Sequence, residues 1–135
     1  MAIITRKGIA FEKDQLAEFD RLIKKRGYTN RSEAIRDLIR DELVEEKKNN
    51  PEETMLATLT FIYNHHDHGI QHKLTDIQHK TPGLVRSSMH THIDAHSCLE
   101  VLILEGKVKH ITKLADSIIS SKGVRHGKLV LTGIC

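Results

Sequence analysis

An α+β chain of two modules is what this sequence predicts, and three observations carry that expectation. Residues 1–48 read as strand, helix, helix; residues 49–53 are polar and helix-breaking; residues 54–135 read as βαββαβ. The first module is too small to enclose a core by itself. It needs a second copy.

In the first module, Arg6 to Phe11 reads as a short strand with Lys7, Ile9 and Phe11 on one side and Arg6, Gly8 and Ala10 on the other. Leu16, Phe19, Leu22 and Ile23 then recur at helical spacing until Gly27, a good helix stop. A second helix opens at Asn30-Arg31-Ser32-Glu33, where Asn30 can cap and Glu33 can reach back as in a capping box. Its apolar stripe is Ala34, Ile35, Leu38, Ile39 and Leu43. Two copies could pair their strands into an antiparallel ribbon and interlock their helices, the ribbon-helix-helix plan, whose ribbon fits the DNA major groove. The plainer alternative is a helical dimerisation module.

Beyond the junction, which carries Asn49-Asn50-Pro51, Thr54 to Tyr63 reads as a strand and Ile70, Leu74 and Ile77 as a helix. Leu84 to His92 and Cys98 to Leu104 are two more strands. Val108, Ile111, Leu114, Ala115, Ile118 and Ile119 form an amphipathic helix ending at Gly123, and Lys128 to Thr132 closes the sheet. This order is the split βαβ, or ferredoxin-like, arrangement, which hosts many functions and identifies none.

Two cysteines, Cys98 and Cys135, with no signal peptide and no membrane-spanning apolar run, point to a reducing cytoplasm. The net charge is +3, but residues 1–31 hold eight Lys or Arg against four acids, so the basic excess sits at the N-terminal end. With no Trp, two Tyr and three Phe, stacking platforms for single strands are not expected. Duplex phosphate is a reasonable partner.

His90-Thr91-His92, followed six residues on by Cys98 and preceded by His79, offers ligands suited to a transition metal. Two imidazoles at i and i+2 on a strand share a face, and a thiolate opening the next strand can complete one side of a metal site. Against this, ten histidines in 135 residues produce close pairs by chance, and a lone Cys is commonly a small buried hydrophobe.

Arg26-Gly-Tyr-Thr-Asn-Arg-Ser-Glu-Ala-Ile-Arg-Asp37, the His90-x-His92 and Cys98-Leu99-Glu100 segment, and Gly123-Val-Arg-His-Gly127 together resemble the nickel-responsive transcriptional regulators of the NikR family. The likeness covers nearly the whole chain. It implies that His90, His92 and Cys98 of one subunit bind Ni(2+), one per subunit, together with His79 of a neighbouring subunit, as a planar three-nitrogen, one-sulfur site. Glu100 then orients a ligand. Glu33 and Asp37 match acidic residues that can hold a hard cation between the DNA-binding and metal-binding domains.

The resemblance also implies an ACT-type metal-binding domain, a homotetramer built as a dimer of dimers, and a repressor of nickel-uptake genes acting on palindromic double-stranded operator DNA. Arg6, Gly8 and Ala10 would face the base edges, and Asn30 and Arg31 the phosphates. Here the chain departs from the family. Only Arg6 offers a bidentate contact to guanine, and Lys7 stands where the family places an apolar residue.

Neither an enzyme nor a membrane protein is expected. The rivals are a metal-independent, antitoxin-like ribbon-helix-helix regulator and a nickel or copper storage protein. His65, His66, His68 and His72 read as solvated histidines, with weak secondary metal sites as the alternative. His96, His110, His126 and Cys135 are assigned no role.

Overall fold

A computed structural model describes residues 2–64, 66 and 69–133. Its elements run α1 (Lys13–Lys25), α2 (Arg31–Lys48), β1 (Thr54–Asn64), α3 (Gly69–Lys80), β2 (Val85–His92), β3 (Ser97–Lys107), α4 (Val108–Ile119) and β4 (Val124–Thr132). The chain divides into two compact units, Met1–Leu43 and Val44–Cys135. The last turns of α2 therefore belong with the second unit.

In the first unit, α1 ends through a positive-φ glycine. Gly27, at φ 90, donates its N–H to the Lys24 carbonyl at 3.1 Å, and Tyr28 donates to the Ile23 carbonyl at 3.0 Å. This reversal closes the free carbonyls of the last turn, and a β-carbon would be strained there. Asn30 Oδ1 accepts the Glu33 N–H at 2.9 Å, which caps α2. The return half of a capping box is replaced, because the Glu33 carboxylate pairs with Arg36.

The strand expected at residues 6–11 forms no ladder within this chain: residues 2–12 carry no regular secondary structure. A lone six-residue strand has nothing to donate to and is not stable unpaired. Among the described residues of this unit only Ile23 and Ala34 are buried, while Ile9, Phe11, Leu22, Leu38, Ile39 and Leu43 are exposed.

The second unit has a four-stranded sheet in the order β2-β3-β1-β4, with every neighbouring pair antiparallel. Connected β1-α3-β2-β3-α4-β4, this is the βαββαβ arrangement. Strict alternation in β1 buries Met55, Ala57, Leu59, Phe61 and Tyr63. These residues and Cys98, Leu102 and Leu104 of β3 form the sheet's inner face. Ile70 and Leu74 of α3 and Ile111, Leu114, Ala115 and Ile118 of α4 cover it. The opposite face stays open, with Met89, Ile103 and Val130 exposed.

Several boundaries differ from the sequence reading, and α4 ends at Ile119 instead of running to Gly123. β3 runs to Lys107 and passes into α4 without a loop. β4 begins at Val124, four residues earlier than expected, because Gly123-Val-Arg-His-Gly127 continues along β1 with a register shift at Ile62/Tyr63. Gly127 is there for close packing: a β-carbon would lie 2.7 Å from Ile119 Cγ1 and 3.3 Å from Phe61 Cβ.

Candidate metal centre

The ladder between β2 and β3 sets His92 opposite Cys98 and His90 opposite Glu100. All four residues fall on the inner face, because Cys98 and Glu100 alternate in step with buried Leu102 and Leu104. Cys98, a free thiol, is 2% exposed and Glu100 3%, whereas His90 and His92 lie exposed on the edge strand. The result is a buried sulfur beside two accessible imidazoles.

His92 Nδ1 and Cys98 Sγ are 3.5 Å apart, and the His90 and His92 rings are 6.0 Å between centroids at 79°. For zinc, bonds of about 2.0 Å to nitrogen and 2.3 Å to sulfur place adjacent N and S ligands about 3.1 Å apart at a right angle and about 3.5 Å at the tetrahedral angle. The observed separation lies within that span.

The turn joining the strands is braced. Asp94 Oδ1 accepts the His96 and Ser97 N–H groups, both at 2.8 Å, and these bonds hold the Asp94 carboxyl below its usual range. Ile93 N–H donates to the Ser97 carbonyl at 2.9 Å, and Arg125 Nη1 donates to Ser97 Oγ at 2.9 Å. Cys98 follows directly from this fixed point.

Glu100 is a buried carboxyl whose Oε2 has no hydrogen-bond partner among the described residues. Burial raises its pKa, while the Tyr63 hydroxyl and the charge of His90 pull the other way. Tyr63, opposite Cys98 on β1, is itself pushed up to about 12, first by burial and then by Glu100 and Cys98. An orphaned buried acceptor calls for an explanation. Ligating histidines commonly donate their second ring N–H to a carboxylate, and Glu100 stands where His90 could do so. The donor set of thiolate and imidazole, with this acceptor behind it, fits a borderline-soft ion such as nickel.

His79 lies exposed in the last turn of α3. Among the described residues of one chain, no three His, Cys, Asp or Glu side chains converge on a point that could hold a metal ion. The structure thus joins His92 and Cys98, keeps His90 beside them, and leaves His79 outside.

At the other expected sites, Arg6, Gly8 and Ala10 are exposed and unpaired to any strand. Asn30 spends its side-chain oxygen on the α2 cap. Arg31 Nε and Nη2 donate to Asp20 Oδ1 and Oδ2 at 2.8 and 2.7 Å, an exposed bidentate pair that holds the Asp20 carboxyl below its usual range. Asp37 accepts from the Tyr28 hydroxyl at 2.5 Å and from Arg40 at 2.6 Å, so both Glu33 and Asp37 already have an arginine partner.

Among the remaining histidines, the His66 and His96 rings lie 5.9 Å apart. His65, His68 and Cys135 lie outside the described residues. Sequence reasoning missed Tyr63, the Asp94 turn and the Arg125–Ser97 bond. Asp94 was open to discovery, since an Asp two and three residues before free N–H groups is a turn signal. Arg125 gave no local sign, because its partner is 28 residues away.

Comparison with known proteins brings this geometry into a family. Residues 56–132 match the family model described as the NikR C-terminal nickel-binding domain, and residues 9–46 match the ribbon-helix-helix protein, copG family. A relative from Trichlorobacter lovleyi, described as a nickel-responsive regulator, is 52% identical over 98% of this chain and 95% of its own length. Relatives of the same description from Caldanaerobacter subterraneus (51% identical, 96% of this chain, 84% of its own) and Pyrococcus furiosus (46%, 96% and 94%) extend the match across distant organisms.

Proposed function

The chain belongs to the family of nickel-responsive regulators, which are not enzymes, and on that premise we propose that it is a nickel-dependent repressor of nickel-uptake genes that binds double-stranded operator DNA. The single observation that carries the metal half is the pairing of His92 with Cys98 beside the unpartnered Glu100 Oε2. His90, His92 and Cys98 hold one Ni(2+) per subunit, and His79 of a neighbouring subunit supplies the fourth donor. The exposure of His79 away from its own chain's strand ligands supports that sharing.

When bound, nickel supplies a four-point link between two subunits. The chain's own part is to present the donors. The Asp94 turn fixes Cys98, the ladder sets both imidazoles on one face, and Glu100 orients His90. Four protein donors, if all bound, would leave no open position of the kind a catalytic zinc site keeps for water or substrate.

Assembly follows from what each unit leaves uncovered. The exposed stripe Leu22, Leu38, Ile39 and Leu43, with Ile9 and Phe11, is large for an isolated unit and suits a second copy that pairs residues 6–11 into a ribbon. The open sheet face bearing Met89, Ile103 and Val130 suits joining of the metal-binding units, giving a dimer of dimers. Two ribbons then address a palindromic operator with Arg6, Gly8 and Ala10 toward the bases. Arg31 reaches a phosphate by leaving Asp20, since an exposed ion pair of this kind holds it only weakly. No helix among the described residues is long and apolar enough to cross a membrane, and the site of action proposed is the cytoplasm.

DNA footprinting with nickel, and again after chelation, tests this reading. A protected palindrome that appears only with nickel supports it. Protection unaffected by chelation favours the metal-independent rival, and nickel binding without any footprint favours storage. By linkage, operator DNA must tighten nickel binding by the same factor that nickel tightens DNA binding.

A further inference from the structure

Between α3 and α4, away from the strand ligands, lies an open groove of about 350 Å³. Buried Leu84 and Leu114, with half-buried Ile77, make its floor; Lys80, His110 and Lys113, all exposed, stand around its rim. No carboxylate lines it. Some lysines elsewhere in this unit are paired: Lys107 and Lys109 share Glu52 at 2.9 and 2.5 Å, and Lys48 holds Glu45 at 2.6 Å. Lys80, His110 and Lys113 have no acidic partner among the described residues.

We propose that this groove is a binding site for a small amphipathic anion, a carboxylate with an apolar body. The volume stands at the small end of ligand pockets, about 300–1,000 Å³, and the combination of an apolar floor with a few convergent polar groups is their common make-up. The apolar body covers Ile77, Leu84 and Leu114, and the carboxylate meets the ammonium groups of Lys80 and Lys113. A larger macromolecular anion would not use the floor. A neutral hydrophobe would leave the cations unanswered. The site is independent of the nickel reading, although α3 carries both Lys80 and His79.

Calorimetric titration of octanoate into the nickel-free, full-length protein tests the proposal, with octanol and acetate as paired probes. Saturation at one octanoate per subunit is expected, with octanol and acetate each at least about tenfold weaker, since each lacks one half of the recognition. The double variant Lys80→Met, Lys113→Met should weaken octanoate by about tenfold or more, whereas Lys109→Met, outside the groove, should leave it unchanged. These lysines are exposed, so the variants keep the fold. Octanol binding as tightly as octanoate, full affinity in the double variant, or an equal loss in Lys109→Met would overturn the site.

Discussion

The two units of this chain solve the problem of burial in opposite ways. In Val44–Cys135, two helices cover one face of a four-stranded sheet, and Leu59, Ile70, Leu102, Leu104, Ile111 and Ile118 are fully enclosed. Among the described residues of Met1–Leu43 only Ile23 and Ala34 are buried, and Leu22, Leu38, Ile39 and Leu43 of the helices' apolar stripes are exposed. One unit is a finished fold carrying a half-finished metal site. The other is half a fold, which on the function proposed above a second copy completes into the DNA-reading ribbon. On that same proposed function, such a chain needs assembly twice, once for its DNA surface and once for its fourth metal donor.

The sharpest way to break that comparison is to separate the units. A fragment of residues 54–135 should melt cooperatively on its own. A fragment of residues 1–48 should lose its helical circular dichroism on dilution, because its stability belongs to the dimer. A concentration-independent transition in the second fragment would contradict the half-fold description.

A smaller effect is expected from Gly127→Ala. The added carbon meets Ile119 and Phe61 inside the finished unit. Overpacking of this kind costs about 1–3 kcal/mol, read as a lowered urea midpoint. Asn30→Ala should cost about 1 kcal/mol, by loss of the cap on Glu33 N–H, and the loss should appear in the 1–48 fragment alone.

The smallest effect concerns Glu52, whose carboxyl is lowered to about 2, first by Lys109 and then by Lys107. A depressed folded pKa contributes stability above the unfolded value of about 4.5 that is lost as pH falls through about 2. The pair is exposed, so the contribution is slight. Carboxyl NMR should nevertheless find a Glu52 midpoint near 2 in wild type and a normal one in Lys107→Met, Lys109→Met.

Periodicity made the element order and most of the core legible, since Met55 to Tyr63 alternates and Val108 to Ile119 repeats at helical spacing. The errors arose where a residue's reason lies elsewhere in the fold. Gly127 sits within β4, where a β-carbon would meet Ile119 and Phe61. Residues 6–11 form no strand in the single chain, where no other strand is offered to pair with them. In the candidate site, spacing suggests that His90, His92 and Cys98 lie together, and only the family resemblance makes them a ligand set. The unmet acceptor on Glu100 and its neighbour Tyr63 could not, because burial and cross-strand register are tertiary facts.

The central claim is that Cys98 and the strand histidines form a nickel site, one per subunit. It is tested most directly by titrating the metal-free protein with Ni(2+) and following absorbance, in parallel with Cys98→Ala. The account predicts thiolate-dependent bands of planar nickel that saturate at one equivalent per subunit and vanish in the variant. Identical spectra in the two proteins, or no such bands in either, would contradict it.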